Sequence, residues 1–159
     1  MRRNRQQLSS EECERILGRC TSGVLALTGD GGYPYAVPLS YVYADGAIFF
    51  HSATQGHKID AIKLDNRCSF CVIGQDEIKP AEFTTYFRSV IVFGRIHILE
   101  DAAAKVQALR LLGRRYSPDD ESGLQHEIDK SLDLVLLLRL DIEHMSGKEA
   151  IELVRARKP

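Results

Sequence analysis

The sequence predicts a mainly β domain, an antiparallel barrel that is closed or partly closed, with a few helices at its periphery. Three observations carry this reading. Segments with period-two alternation are separated by short turns, GDGG at 29–32 and Asp45-Gly46, as in strands joined by hairpins. The runs VIVFGRI and LVLLLRL are apolar at almost every position, so they belong inside a covered sheet. Helical periodicity is confined to a few short stretches. With 159 residues, no internal repeat and no low-complexity stretch, the chain reads as one folding unit over 1–159. Within it fall an N-terminal helical region at 1–21, a barrel core at 22–98, helices at 99–132, and a last strand and tail at 133–159.

Ser9 and Glu12 form a capping box ahead of an apolar stripe of Cys13, Ile16, Leu17 and Cys20, which predicts a helix over 10–20. SGVLALT, YPYAVPLSYVY and AIFFHS then read as a three-strand meander. Pro34 and Pro38 cannot donate to a ladder, so the middle strand is an edge, is bulged or is interrupted, and backbone near Val37–Leu39 is open to another partner. HKIDAIKLD predicts a short helix from His57, and RCSFCVIG a strand. DEIKPAE reads as a polar loop, and TTYFRSVIVFGRIHILE as a long strand with a bend or bulge at Gly94. DAAAKVQALRLLGRRY and GLQHEIDKSL are helical, LVLLLRLDI is a buried strand, and SGKEAIELVRARKP is one turn with a frayed end. The total is roughly six strands and about three helices.

Composition excludes several functions. With 21 Lys plus Arg against 22 Asp plus Glu, the net charge of −1 gives no field to hold nucleic acid. No run of about 18 apolar residues could span a bilayer, and MRRNRQQLSSEE lacks the apolar stretch of a secretory signal. The expected address is cytoplasmic. Cys68 and Cys71 are spaced as a metal pair, but on a strand residues three apart face opposite ways. All four cysteines therefore read as small buried thiols, with no disulfide and no metal site. His97, His126 and His144 have no ligand spacing, and Tyr33, Tyr35, Tyr41, Tyr43 and Tyr86 read as strand residues with their hydroxyls at the surface.

The chemistry concentrates in PYAVPLSYVYADGAIFFHSATQGHK. A strand ends in polar residues, passes Gly56 and opens a helix with His57 and Lys58. Unpaired N–H groups, the helix dipole and a lysine together suit an anion, with Ser52 and Thr54 at hand. Neither a Walker loop nor a G-x-G-x-x-G fingerprint is present. An ordinary helix cap has the same residues, and local physics leaves both readings open. His51 shares its strand face with Ala47 and Phe49, which reads either as a satisfied rim histidine or as a functional group.

PYAVPLSYVY, IFFHSATQGHKIDAI, SFCV and YFRSVIVFGRI, in that order from about Ser22 to Ile98, resemble the flavin-binding split-barrel proteins related to pyridoxamine-phosphate oxidase. The similarity is greatest to the nitroimidazole-resistance branch. The resemblance implies a split barrel and a homodimer with two FMN sites at the subunit interface, each built from both chains. It implies that Val37, Pro38, Leu39 and Ser40 run along the isoalloxazine ring, and that Phe50, His51 and Ser52 end the next strand beneath it. His57 and Lys58 fall where the phosphate is held, a place at which relatives of the oxidase branch often carry Arg-Lys. A histidine supplies less charge than an arginine, so a weaker or more pH-dependent phosphate site is expected. Arg88 and Ser89 match the motif that reaches the flavin from the long strand, in one subunit or from its partner. Arg88 is the candidate to stabilise negative charge on the reduced ring; a solvent-facing strand charge is the alternative.

The expected function is an FMN-dependent oxidoreductase, with a reduced nicotinamide as possible donor and a small acceptor such as a nitro-aromatic. His51, the candidate catalytic residue, orients or protonates that acceptor. Pyridoxamine-phosphate oxidation ranks lower because Arg155 and Arg157 do not convincingly match its second phosphate site. A non-catalytic flavin- or heme-binding protein is the remaining alternative.

Overall fold

The computed structural model describes residues 4–157. Helix α1 spans Ser10–Arg19 behind the expected capping box, in which the Glu12 N–H donates to Ser9 Oγ and the Ser9 N–H donates to Glu12 Oε2. The strands are β1 (Ser22–Thr28), β2 (Pro34–Ser40), β3 (Val42–Ala44), β4 (Ala47–Ser52), β5 (Arg67–Lys79), β6 (Thr84–Ile98) and β7 (Leu136–Glu149). Helix α2 (His57–Leu64) follows β4, α3 (Ala102–Tyr116) and α4 (Glu121–Ser131) separate β6 from β7, and α5 (Ile151–Ala156) ends the described chain. Among the described residues no helix is long and apolar enough to cross a membrane.

Among the described residues seven strands form one antiparallel sheet in the order β2-β1-β5-β6-β7-β4-β3. The sheet does not close. β2 and β3 are consecutive in the chain yet end at opposite edges, which corrects the expected three-strand meander. The split falls at Tyr41, whose N–H goes to the Thr21 carbonyl (3.2 Å) and the Tyr116 hydroxyl (2.9 Å) rather than into a ladder. Both prolines lie on the edge strand β2, opposite Thr28 and Val24 of β1, where a missing N–H costs no interior ladder bond.

Two more expectations need correction. DEIK is not loop but the continuation of β5, paired with Thr84–Phe87 of β6, and only Pro80–Phe83 turns the chain. SGKE in the tail extends β7, because Ser146–Glu149 pair with Arg88–Ile91, and α5 follows. The last two residues of the tail expected to fray, 158–159, lie outside the described residues. The expected Gly94 irregularity is present: pairing passes from Phe93–His144 to Gly94–Ile142 and leaves Glu143 as an extra residue. A Cβ at Gly94 would collide with the Asp141 carbonyl, so only glycine lets β7 approach there.

The main core fills the barrel with Leu25, Ile48, Phe50, Phe70, Val92 and Leu140, capped by Ile16 and Leu17 of α1 and Ile59 and Ile62 of α2. A smaller cluster of Val42, Ala108, Leu112 and Leu137 seats α3 on the outer face of β3, β4 and β7.

Gly94→Ala is expected to lose about 2 kcal/mol or more of unfolding free energy, as overpacking against fixed backbone does. Gly18→Ala is the control, on α1 with nothing within 4 Å of the added carbon, and is expected to gain about 0.5 kcal/mol. Urea titration of both variants measures the contrast, and equal effects would mean the bulge has room for a side chain.

Candidate functional site

β4 ends with Ser52 buried, and Ala53–Gly56 lead into α2. Gly56 has φ +126°, a conformation that favours glycine, and no side chain caps the helix start. The first-turn N–H groups are thus not taken by a capping side chain. Ile59, Ala61 and Ile62 anchor α2 in the core and fix where its N-terminus points. His57 stacks on Tyr35 of β2 with ring centroids 4.2 Å apart, and its Nε2 lies 3.4 Å from an Asp30 carboxylate oxygen. These contacts draw the helix start to the β1–β2 hairpin. Lys58 is half-buried, and burial alone lowers its pKa from the ordinary lysine value.

On β2, Val37 and Leu39 pack toward the core while Pro38 and Ser40 are exposed. As an edge strand, β2 uses β1 as its ladder partner and leaves its other backbone edge outside the sheet. Phe50 is wholly buried and meets Phe70 edge-on at 5.1 Å, so its side chain is core. His51 points the other way, exposed at the mouth of a cavity between β4 and the α3–α4 pair. The edge of β2 and the start of α2 therefore come together, while His51 lies on the outer face.

Arg88 and Ser89 do not join them within one chain. Arg88 pairs with Glu149 at one end of β7, whereas His51 pairs with Leu137, 12 residues away on the same strand, or about 40 Å along it. Glu149 is buried; its Oε2 accepts from Arg88 Nε (3.2 Å) and Arg157 Nη2 (2.6 Å). Arg88 Nη1 also donates to Gln75 Oε1 (2.7 Å), and Arg157 reaches Glu12 at 2.6 Å. Hydrogen bonding from the Ser9 N–H, with help from Arg157, holds the Glu12 carboxyl below its ordinary value. Arg15 and Arg19 complete the lining of this second cavity, of about 410 Å³.

Of the four cysteines expected to be buried, Cys13 and Cys68 are, whereas Cys20 and Cys71 are only partly buried. Cys68 faces inward and Cys71 outward, and all four cysteines are free thiols. Tyr41 departs from the expectation of surface hydroxyls: it is fully buried and donates to the Leu17 carbonyl at 2.8 Å, and burial pushes its pKa up. Sequence reasoning missed Tyr116, Glu149 and the cavity residues of α4. Tyr116 carries no local signal of its long-range bonds, and Glu149 sits in a segment read as tail.

A model of the family described as pyridoxamine 5'-phosphate oxidase matches residues 9–149. Among solved structures, a FAD-binding protein from Mesorhizobium loti is 31% identical over 91% of this chain and 97% of that one, with a TM-score of 0.62. A candidate 5-nitroimidazole antibiotic resistance protein from Bacteroides thetaiotaomicron is 22% identical, with a TM-score of 0.77 over 90% and 86% of the two chains. The FAD and heme binding protein from Mycobacterium smegmatis is 23% identical, with a TM-score of 0.78 over 97% and 81%. The last two share the fold. No curated protein sequence matches the chain.

Glu149→Gln is expected to destabilise the protein by about 3 kcal/mol, because two guanidinium groups lose the buried charge between them. Arg114→Gln breaks the exposed Arg114–Glu121 pair and is expected to change stability little. Thermal or urea melts compare the two; similar small effects would show that Glu149 does not organise its neighbours.

Proposed function

Because the chain belongs to the pyridoxamine 5'-phosphate oxidase family, we propose that it is an FMN-dependent reductase of small acceptors such as nitro-aromatics. The observation that carries this is the α2 start: a helix N-terminus without a side-chain cap, entered through Gly56 and flanked by a half-buried Lys58, set beside the open edge of β2. These residues fit a flavin phosphate. Lys58 supplies charge, His57 stands beside it with its Nε2 3.4 Å from an Asp30 carboxylate oxygen, the His57 and Lys58 N–H groups supply donors, and β2 offers backbone along which a flat ring can lie.

FMN, when bound, supplies two-electron chemistry: a hydride taken from a reduced nicotinamide is passed to the acceptor. In that reading a nitro group becomes a nitroso group and water, which needs one hydride and one proton. The chain's task is to hold the phosphate with His57 and Lys58, run Val37–Ser40 along the ring, and relay a proton to the acceptor oxygen through His51. Ser52 and Phe50 hold the end of β4 in register from the core side.

In this reading Arg88 and Ser89 enter the site from a second copy, since within one chain they pair with the opposite end of β7 from the residue that pairs with His51. A homodimer also suits the outward sheet face, where Val24, Ile73, Ile91 and Phe93 are exposed. The oxidase alternative needs C-terminal basic residues for its substrate phosphate, and here Arg157 is committed to Glu149 and Glu12.

The first test is the visible spectrum of the purified protein with added FMN, then with a reduced nicotinamide under anaerobic conditions. Flavin bands at about 370 and 450 nm that bleach with donor are expected; no bound flavin after FMN addition would overturn the reading. Flavin released by heat is identified by chromatography, which separates FMN from FAD. Lys58→Met is expected to weaken flavin binding about tenfold or more, the worth of a charge-assisted bond. In the unmodified protein, affinity is expected to fall as pH rises. Deprotonation removes the ammonium that the phosphate needs, and because burial lowers the Lys58 pKa, the loss begins below the usual lysine range. His51→Ala is expected to keep flavin and lower turnover about 100-fold; full turnover would remove His51 from catalysis.

A further inference from the structure

The cavity at His51 has about 380 Å³ of space, within the range of small-molecule sites. Its walls come from α3, α4 and the approach to β7: Leu109, Leu112, Leu124, Ile128 and Val135, with the Tyr116 ring. An apolar cavity of about 150 Å³ admits benzene, so this one has room for a one- or two-ring molecule.

Its polar groups are few and mostly committed. The Tyr116 hydroxyl is used by the Tyr41 N–H and the Thr21 carbonyl, so Tyr116 presents its ring. Ser131 Oγ donates to Glu127 Oε1 at 2.6 Å. That bond, aided by the charge of Lys130, keeps the Glu127 carboxyl below its ordinary pKa and therefore ionised at neutral pH. Among the described residues no lysine or arginine lines the cavity. Glu127, the one carboxylate in the lining, repels anions, and His51 is left as the side chain able to meet a ligand polar group.

We infer that the cavity between β4, α3 and α4 is the acceptor pocket, and that it selects neutral, planar, largely apolar molecules with one polar group directed at His51. The word acceptor rests on the reductase reading; the ligand class rests on the cavity alone. Leu124 and Ile128 of α4 set the size limit, since both are buried and reach the pocket from the side opposite the sheet. Glu127 sets the charge preference. Phosphorylated and carboxylated substrates are disfavoured here, which sets this pocket apart from the α2 start.

Nitrobenzene and 4-nitrobenzoate, alike in ring and nitro group and different in charge, are the probes. Calorimetric titration of the purified, flavin-loaded protein is expected to show nitrobenzene binding about tenfold or more tighter. Ile128→Trp fills the pocket and is expected to weaken nitrobenzene about tenfold with flavin content unchanged. Glu127→Lys lies on the exposed rim, so it spares the fold even where the Trp variant does not, and it is expected to reverse the preference toward 4-nitrobenzoate. Equal affinities for the two probes, or a preference that Glu127→Lys leaves in place, overturns the inference. The two readings fail separately. Nitrobenzene binding with these mutational responses in a protein that takes up no flavin keeps the pocket and removes the reductase. Nicotinamide-dependent bleaching of bound flavin, with nitrobenzene indifferent to both variants, keeps the reductase and removes the pocket.

Discussion

Everything that positions the candidate site depends on the break in the sheet at Tyr41. A barrel that closed through a continuous β2–β3 strand would bury both backbone edges in ladders. Here the amide of Tyr41 turns to Thr21 and Tyr116, and its hydroxyl turns inward to Leu17. Three separate elements are satisfied by one residue: the end of α1, the approach to β1 and the end of α3. Buried polar groups that lose such partners are costly, so the break is held from several sides. Its consequence is an edge strand, β2, whose outer backbone stands beside the start of α2.

The same knot places the cavity at His51. Tyr116 is the last residue of α3, and its bonds at Tyr41 fasten that helix over the outer face of β3 and β4, where Val42 and Leu112 share a small core. α4 then folds back along α3, with Arg110–Gln125 and Arg114–Glu121 contacts on the solvent side. Exposed pairs of that kind contribute little stability. The roof of the pocket is thus held firmly at Tyr116 and weakly at its outer margin, the arrangement expected of a site that must admit a ligand.

Local rules were legible in the sequence and long-range partners were not. The Ser9–Glu12 box, the edge prolines and the Gly94 bulge each follow from chemistry within a few residues. Tyr41 could not be read that way. The alternation of LSYVY runs through it without a breaker, and the partners that end the strand, Thr21 and Tyr116, are 20 and 75 residues distant. DEIK reads as loop from its charge, yet the ladder with β6 accepts it because both faces of that ribbon meet solvent. At the site, the face of His51 followed from strand alternation. Its surroundings did not, because the pocket is made by α4. Arg88 was legible as a site candidate through resemblance, but its bond to Glu149 depends on register across β6 and β7.

Charge is partitioned accordingly. The α2 start carries Lys58, the His51 cavity carries Glu127, and Arg88 and Arg157 are balanced by Glu149 and Glu12. A single chain holds the α2 start at one place and Arg88 with Ser89 at another, beside Glu149 of β7. In a dimer of the proposed kind, twofold symmetry would resolve this separation. If residue i of one copy meets residue j of the other, then j meets i as well, so one isologous contact would complete two sites at once. The exposed Val24, Ile91 and Phe93 lie on the outward face of the strands that link those two ends. Burial of that face would supply the association energy, and the ion pairs of Arg88 would supply its orientation. On the proposed reading, dimerisation would be a condition of the chemistry rather than an addition to it.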